Sequence, residues 1–210
     1  MNKIKKLKDF FSNGHEKSIK DYQDAICDFG LVNDLTIPEL YGEERKYMLS
    51  DRNELGIYQT PIQFASLLKY LEQYNFDSYL EIGVFRGGTF LFMKYFLQAK
   101  NPNIKLYCVD PTDNIHNLAK QEIQAYLIDG TSNDLINHYD LVFIDGDHSY
   151  NWAKLDWLNA GQHAKVCIFH DVNEPTCPGV VKLWNEVKQN KKHTEFIQTN
   201  HQGIGVIHND

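Results

Sequence analysis

The stretch Asp145-Gly146-Asp147-His148 places three titratable side chains within four residues. Carboxylates can bind a hard divalent cation, and a histidine titrates near neutral pH and can therefore remove a proton. Acids also close four other apolar runs, at Glu81, Asp110, Asp129 and Asp171. Turn formation or helix capping explains one such acid, but acids at the ends of five successive runs favour a shared functional site.

The first of these acids opens a glycine-rich turn. Residues 79–89 read YLEIGVFRGGT, so an apolar run ends in Glu81 and is followed by Gly83, Gly87 and an apolar helical segment. A strand, a tight turn and a helix N-terminus let the backbone approach a nucleotide-like ligand, and glycine supplies the positive φ and the space. A simple βα turn without a ligand would show the same pattern.

The next strand ends at Asp110, where a carboxylate in nucleotide-binding folds accepts bonds from ribose hydroxyls. The pattern GxGxxG of NAD-binding proteins is incomplete here, because the third glycine is missing. The sequence therefore favours a nucleotide-like cofactor other than NAD.

Elements that could position these residues alternate along the chain. Apolar periodicity predicts helices near 4–11, 21–29, 61–71, 90–97, 114–121, 152–158 and 180–188, and strands near 79–82, 105–109, 124–128, 139–144, 166–169, 195–198 and 204–208. Thr60 is a predicted N-cap, Pro61 suits the first helical position, and Trp152, Leu155 and Leu158 form a rough stripe. We predict an α/β Rossmann-like, doubly wound fold, with a mostly parallel seven-stranded sheet and an antiparallel C-terminal hairpin.

The overall composition narrows the class of protein. The net charge of −7 argues against a nucleic acid or an anionic membrane as the main partner, and no apolar run is long enough to span a bilayer. The four cysteines show no CxxC spacing, and Cys108 and Cys167 lie in apolar runs typical of buried thiols. We expect a reduced, cytoplasmic protein.

Residues 1–56 have a different character from residues 57–210. A short amphipathic helix is predicted at Ile4, Leu7, Phe10 and Phe11, and turn formers and charges are frequent after residue 30. We interpret 1–56 as a helical extension or cap and 57–210 as the ligand-binding domain. An exposed apolar N-terminal helix would be consistent with a homodimer and equally with a lid, and a disordered tail is the alternative for the first residues.

Four motifs in order resemble the class I S-adenosylmethionine-dependent methyltransferases. They are EIGVFRGGT at 81–89, VDP at 109–111, DLVFIDGDHSY at 140–150 and IFHD at 168–171. The branch they resemble includes cephalosporin-hydroxylase-like proteins, macrolide-sugar O-methyltransferases and, more distantly, catechol O-methyltransferase. The resemblance covers roughly residues 57–208 and leaves out the first 50.

The resemblance implies roles for single residues. Glu81, Gly83, Gly87 and Gly88 would hold the methionine part of S-adenosylmethionine, and Asp110 its ribose hydroxyls. Asp129 and Thr131 would lie along the adenine, although Asp129-Gly130 is equally interpreted as a turn. Asp145 would bind Mg²⁺ or another divalent metal and take part in catalysis, with His148 as the base.

The second metal-binding pair departs from that pattern, because relatives carry two acidic or amide residues where this chain has His170-Asp171. Asp171 keeps its place, while His170 suits zinc, iron or manganese better than magnesium. Asn173 could take its place, and His170 could simply be a neutral histidine bonded to a carboxylate. For His148, the structural alternative is a histidine that orders the rim.

The function that the resemblance implies is O-methylation of a hydroxyl on a small molecule or glycan. A nicotinamide-dependent oxidoreductase and a non-catalytic binding module are the alternatives. The intact acids at the strand ends argue against a non-catalytic module, and the missing glycine argues against a nicotinamide site.

Overall fold

The structure is a computed structural model that describes residues 3–32, 48–49, 55–123, 127–135, 138–198 and 200–209. Its helices are α1 (Lys3–Ser12), α2 (Ile19–Phe29), α3 (Pro61–Leu71), α4 (Gly88–Lys100), α5 (Asn117–Glu122), α6 (Tyr150–Asn159) and α7 (Pro178–Val187). Its strands are β1 (Leu31–Val32), β2 (Met48–Leu49), β3 (Ser78–Ile82), β4 (Lys105–Asp110), β5 (Leu127–Asp129), β6 (Leu141–Ile144), β7 (Val166–His170), β8 (Lys192–Phe196) and β9 (Ile204–His208).

Seven strands form one sheet in the order β5-β4-β3-β6-β7-β9-β8. The first five in that order run parallel, and β9 pairs antiparallel with both β7 and β8. The strand order reverses between β3 and β6, which is the point where ligands bind in open α/β sheets. The predicted α/β fold, the seven strands and the C-terminal hairpin are confirmed.

Both faces of the sheet are buried at its central strands, because their successive side chains enter opposite cores. Leu106 and Phe143 face a core that α1 to α4 complete, whereas Val142 and Phe169 face a core formed by α6 and α7. Burial on both sides explains why the central strands are apolar throughout instead of alternating. The buried cysteines, Cys108 and Cys167 among them, fill small spaces in these cores.

The predicted amphipathic N-terminal helix is confirmed as α1. Its Phe11 ring meets Phe92 of α4 edge to face at 5.3 Å, and Tyr22 of α2 donates a hydrogen bond of 2.8 Å to Glu72. The described part of residues 1–56 therefore packs on the same core as α3 and α4. The division at residue 56 stays a prediction, and residues 33–47 and 50–54 lie outside the described residues.

Thr60 occupies the predicted N-cap position of α3 and Pro61 its first turn, but Thr60 makes no capping hydrogen bond, because its hydroxyl donates to the Gln202 side chain at 2.7 Å instead. The predicted stripe on α6 is wrong. In α6 the buried positions are Ala153, Asp156 and Trp157, whereas Trp152 and Leu158 of the predicted stripe are exposed. The β1–β2 pair, which is parallel, was not predicted.

No helix in the described part of the chain is both long and apolar enough to cross a membrane.

Candidate active site

A cleft of about 710 Å³ opens at the carboxyl ends of the parallel strands. The loops after β3, β4, β6 and β7 form its floor, and the predicted site residues among its lining are Glu81, Gly83, Gly88, Asp110, Thr131, Asp145, His148, His170 and Asp171. Parallel strands end at the same edge, so residues far apart in the sequence meet there. The predicted shared site is thus one continuous cleft.

The glycine-rich turn is fixed by its contacts with protein backbone. Gly83 has φ +83°, and a Cβ on it would lie 2.1 Å from the carbonyl oxygen of Asp145. A Cβ on Gly88 would lie 1.8 Å from the carbonyl oxygen of Gly56. Gly87 also has positive φ and directly precedes α4. The sequence predicted that these glycines leave room for a ligand. At Gly83 and Gly88, backbone atoms of the protein itself occupy that room.

Asp110 holds this turn in place. One carboxylate oxygen accepts hydrogen bonds from the amides of Val84 and Phe85 at 2.9 and 3.0 Å. The other oxygen accepts from the amide and hydroxyl of Thr112, both at 2.9 Å. These four donors fix the plane of the carboxylate at the edge of the cleft.

Glu81 is buried beneath the turn, where the Tyr79 hydroxyl donates to it at 2.5 Å. Burial raises the pKa of Glu81 well above its ordinary range, and the nearby carboxylates of Asp145 and Asp110 raise it further. A cationic group entering the cleft beside Glu81 would reverse this effect and favour its ionised form.

The segment assigned to adenine is held from below by a buried acid that the sequence reading did not select. The Ser132 hydroxyl donates to Asp156 at 2.6 Å, and burial raises the pKa of Asp156 to about 6. Thr131 begins a short 3₁₀ turn and accepts a bond from the Asn133 amide. Asp129 ends β5, but its side chain lies outside the described residues.

Two acids and two histidines converge on the floor of the cleft. His170 Nδ1 lies 3.0 Å from Asp145 Oδ1 and 3.3 Å from Asp171 Oδ2, and His148 Nε2 lies 3.1 Å from the same oxygen of Asp171. Asp171 adopts φ +59°, a left-handed backbone conformation that turns the chain sharply after β7. The predicted catalytic and metal-binding residues are therefore neighbours in space.

Mutual charge interactions shift the pKa values within this cluster. Hydrogen bonds to Asp171 and Cys177 raise the pKa of His148 to about 11. Burial opposes ionisation of both Asp171 and His170. The attraction between these two opposite charges, together with Asp145 beside His170 and His148 beside Asp171, outweighs that effect. The pKa of Asp171 is accordingly lowered and that of His170 raised.

A buried glutamine outside the predicted site completes the cluster. Gln59 donates from Nε2 to Asp145 Oδ2 at 2.7 Å and accepts a hydrogen bond from the Thr89 hydroxyl. Because His170 takes the other oxygen of Asp145, that carboxylate is oriented from both sides. The amide thus links the segment before α3 to the first turn of α4 and to the end of β6.

Gln202, in the turn between β8 and β9, holds this segment in place. Its Oε1 accepts from both the amide and the hydroxyl of Thr60 at 2.7 Å, and its Nε2 donates to the carbonyl of Tyr58 at 2.8 Å. The residue is buried, with φ +55°. Gln202 therefore fixes the backbone on either side of Gln59 from a position 143 residues further along the chain.

Replacement of Gln202 by alanine is expected to destabilise the protein by about 2 kcal/mol, because it leaves the buried Thr60 amide and hydroxyl without their acceptor. Thermal or urea unfolding measures this change. Gln198→Ala is the matched control, since Gln198 is exposed and surface changes fall within about 0.5 kcal/mol. Equal effects of the two variants would contradict the structural role of Gln202.

Aromatic side chains flank the mouth of the cleft. Trp152, with 46% of its surface exposed, lines the cleft, as do Tyr58 and Phe85, whose rings meet edge to face at 5.9 Å. Trp157 and Trp184, by contrast, are buried. Trp152, a member of the stripe predicted for α6, is exposed because the first turn of that helix faces the cleft.

Comparison with known proteins agrees with this arrangement. Residues 80–172 match a family model described as a methyltransferase domain. An O-methyltransferase from Bacillus cereus, solved in complex with SAH, is 16% identical, with a TM-score of 0.56 over 91% of this chain and 100% of that one. The cofactor-bound protein Rv0187 from MTB is 19% identical, with a TM-score of 0.55 over 76% of this chain and 85% of that one. No curated protein sequence matched the chain.

Proposed function

We propose that the chain is an S-adenosylmethionine-dependent methyltransferase that transfers the methyl group of its donor to a hydroxyl of a small molecule or glycan. The observation that carries the proposal is the single cleft that joins the glycine-rich turn to the cluster of acids and histidines. One end of the cleft suits a cationic nucleoside, and the other end offers groups that bind and deprotonate a hydroxyl.

The donor would lie along the ends of β3, β4 and β5. Its ammonium group would sit beside Glu81, whose buried carboxylate gains a counter-charge, and its ribose hydroxyls beside Asp110. The carboxylate oxygens of Asp110 already accept hydrogen bonds from the protein. For the ribose hydroxyls to donate to them, we expect the Thr112 hydroxyl to rotate away when the donor binds. Gly83, Gly87 and Gly88 shape the turn, and Asp129 and Thr131 would lie towards the adenine.

The acceptor hydroxyl would lie over His148 and Asp145. Methyl transfer is an in-line displacement, in which the hydroxyl oxygen bonds to the methyl carbon while the carbon–sulfur bond breaks and leaves a neutral thioether. The proton of the hydroxyl would pass to the neutral form of His148, which is the minor form at neutral pH because the pKa of His148 is raised, and Asp171 would stabilise the imidazolium that results. Gln59 and His170 hold Asp145 in a fixed orientation beneath the reacting oxygen.

A divalent cation fits the same cluster. Asp145 Oδ1, His170 Nδ1 and Asp171 Oδ2 lie within 4.8 Å of one another. Their closer separations of 3.0 and 3.3 Å match adjacent ligands in an octahedron with bonds of about 2.1 Å. A bound cation would act as a Lewis acid that lowers the pKa of the acceptor hydroxyl. The imidazole ligand favours manganese, iron or zinc over magnesium.

Isothermal titration calorimetry tests the donor site. S-adenosylmethionine and S-adenosylhomocysteine are each expected to bind with micromolar Kd, and Asp110→Ala is expected to weaken both by at least about tenfold, or 1.4 kcal/mol. NAD serves as the comparison ligand and should give no heat. Heat from NAD together with none from either S-adenosyl compound, in folded protein, would contradict the proposal and favour an oxidoreductase.

The acceptor and the metal are tested by release of S-adenosylhomocysteine across a panel of sugar and phenolic hydroxyls. With an accepted substrate, His148→Ala is expected to lower kcat by about 10²-fold or more, while donor affinity stays close to that of the wild type. EDTA is expected to abolish turnover and Mn²⁺ or Mg²⁺ to restore it, and full turnover in EDTA would rule out metal assistance. Full turnover of His148→Ala would rule out the proposed base.

A further inference from the structure

A second group of metal-ligating side chains lies beside the first and contains a thiol. His148 from the loop after β6, Asp171 at the end of β7 and Cys177 just before α7 present one ligand atom each, all within 4.8 Å of one another. Asp171 Oδ2 lies 3.1 Å from His148 Nε2 and 3.8 Å from Cys177 Sγ. All three residues line the cleft.

The spacing of these atoms suits a tetrahedral ion. Zinc bonds of about 2.0–2.1 Å to nitrogen or oxygen and about 2.3 Å to sulfur place tetrahedral ligands roughly 3.3–3.6 Å apart. The observed separations of 3.1 and 3.8 Å differ from these values by a few tenths of an ångström. Rotation of the half-exposed His148 side chain can provide this adjustment.

The backbone holds the three ligands in place without the ion. A Cβ on Gly179 would lie 2.5 Å from the carbonyl oxygen of His148, so only glycine lets the first turn of α7 pack this closely on the loop that carries His148. The Cys177 amide donates to the Glu174 carbonyl at 2.9 Å, which closes the loop after β7. These contacts keep the thiol within reach of the other two ligands.

We propose that His148, Asp171 and Cys177 form a binding site for a borderline-soft divalent cation such as Zn²⁺, and that an ion bound there inhibits methyl transfer. Three protein ligands leave a fourth position open to the cleft, which is typical of an exchangeable site and not of a closed structural one. The thiolate distinguishes this site from the Asp145, His170 and Asp171 group, because sulfur ligands favour Zn²⁺ over Mg²⁺.

The inhibition follows from which atoms the ion would occupy, and this part rests on the proposed function. Zn²⁺ would replace the proton that His148 shares with Asp171 and the proton of the Cys177 thiol, and both protons would pass to solvent. His148 Nε2 would then be a metal ligand and the ring could no longer act as the base. Asp171 would at the same time be withdrawn from the neighbouring cation site.

Cobalt provides a direct readout, because a thiolate ligand gives Co²⁺ a sulfur-to-metal charge-transfer band in the near ultraviolet. EDTA-treated wild-type protein titrated with Co²⁺ is expected to show this band, and Zn²⁺ but not Mg²⁺ should remove it. Cys177→Ser should lose the band and bind Co²⁺ at least about tenfold more weakly. Cys27→Ser is the control, since Cys27 is buried in α2 away from the cleft.

A wild-type protein without the band, or an unchanged band in Cys177→Ser, would overturn the proposal. X-ray absorption of Zn²⁺-loaded wild-type protein avoids any dependence on the folding of a variant, and we expect one sulfur neighbour at about 2.3 Å. A shell of nitrogen and oxygen alone would also overturn it.

With an accepted substrate, inhibition by Zn²⁺ should need at least about tenfold more metal in Cys177→Ser than in Cys27→Ser. A cobalt band in a protein that binds no S-adenosylmethionine would leave the site intact and remove only the proposed function.

Discussion

Gly83→Ala is expected to unfold the turn between β3 and α4 and to abolish donor binding. The positive φ alone costs an alanine about 1–2 kcal/mol. The larger effect comes from the Cβ, which would lie 2.1 Å from the carbonyl oxygen of Asp145 and would push the end of β6 away from β3. We expect a loss of more than about 3 kcal/mol in the free energy of unfolding, measured by urea denaturation.

Gly14→Ala separates the two contributions. Gly14 has φ +65°, but nothing lies within 4 Å of the position that its Cβ would take. This variant should therefore show the backbone cost alone, about 1–2 kcal/mol, with S-adenosylmethionine binding unchanged. If Gly83→Ala lost no more stability than Gly14→Ala and still bound the donor, the close approach of the loops after β3 and β6 would be required neither for stability nor for donor binding.

Asp171→Asn is expected to destabilise the metal-free protein by about 3 kcal/mol, because it leaves the buried His170 and the neighbouring His148 without their shared carboxylate. Asparagine keeps the volume, so packing does not account for the loss. Asp147→Asn is the matched control, since Asp147 is an exposed acid of the same cleft whose bond from the Ser149 amide an asparagine can also accept.

The pH dependence of stability provides a second readout of the same variant. The folded pKa of His148, about 11, exceeds its ordinary value of 6.5, so the stabilisation from this pair is complete below about pH 6.5 and is lost as the pH rises towards 11. Asp171→Asn should flatten this decline, and NMR titration of His148 should give a pKa closer to its ordinary value. An unchanged His148 pKa would show that Asp171 is not its partner.

The sheet could be predicted from the sequence because a fully buried parallel strand leaves an unbroken apolar run that ends in a polar residue. Residues 166–169 and 141–144 are of this kind, and the strands predicted at 166–169 and 139–144 lie within a few residues of β7 and β6. The exposed positions of α6 were harder to predict. Trp152 and Leu158 are apolar by type, and periodicity alone does not reveal that the helix faces a cleft at one end and solvent at the other.

The acids of the site could be predicted for the same reason, since each closes a strand and parallel strands end together. The amides that orient Asp145 and hold its neighbouring segment could not. Gln59 and Gln202 carry no motif and lie 143 residues apart, so the bonds by which Gln202 holds the segment around Gln59 arise only when the turn before β9 is in place. The pairing of His148 with Cys177 likewise depends on how α7 packs, which no local spacing encodes.

The position of β9 has a consequence for how the chain folds. β9 lies between β7 and β8, although β8 precedes it in the sequence. During synthesis, the apolar edge of β7 has no partner until residues 204–208 are available, and β8 has nothing to pair with. An open strand edge of this kind invites pairing with another chain. The interval before β9 inserts should therefore be the step at which the nascent chain depends most on chaperones, and the step that sets its folding rate.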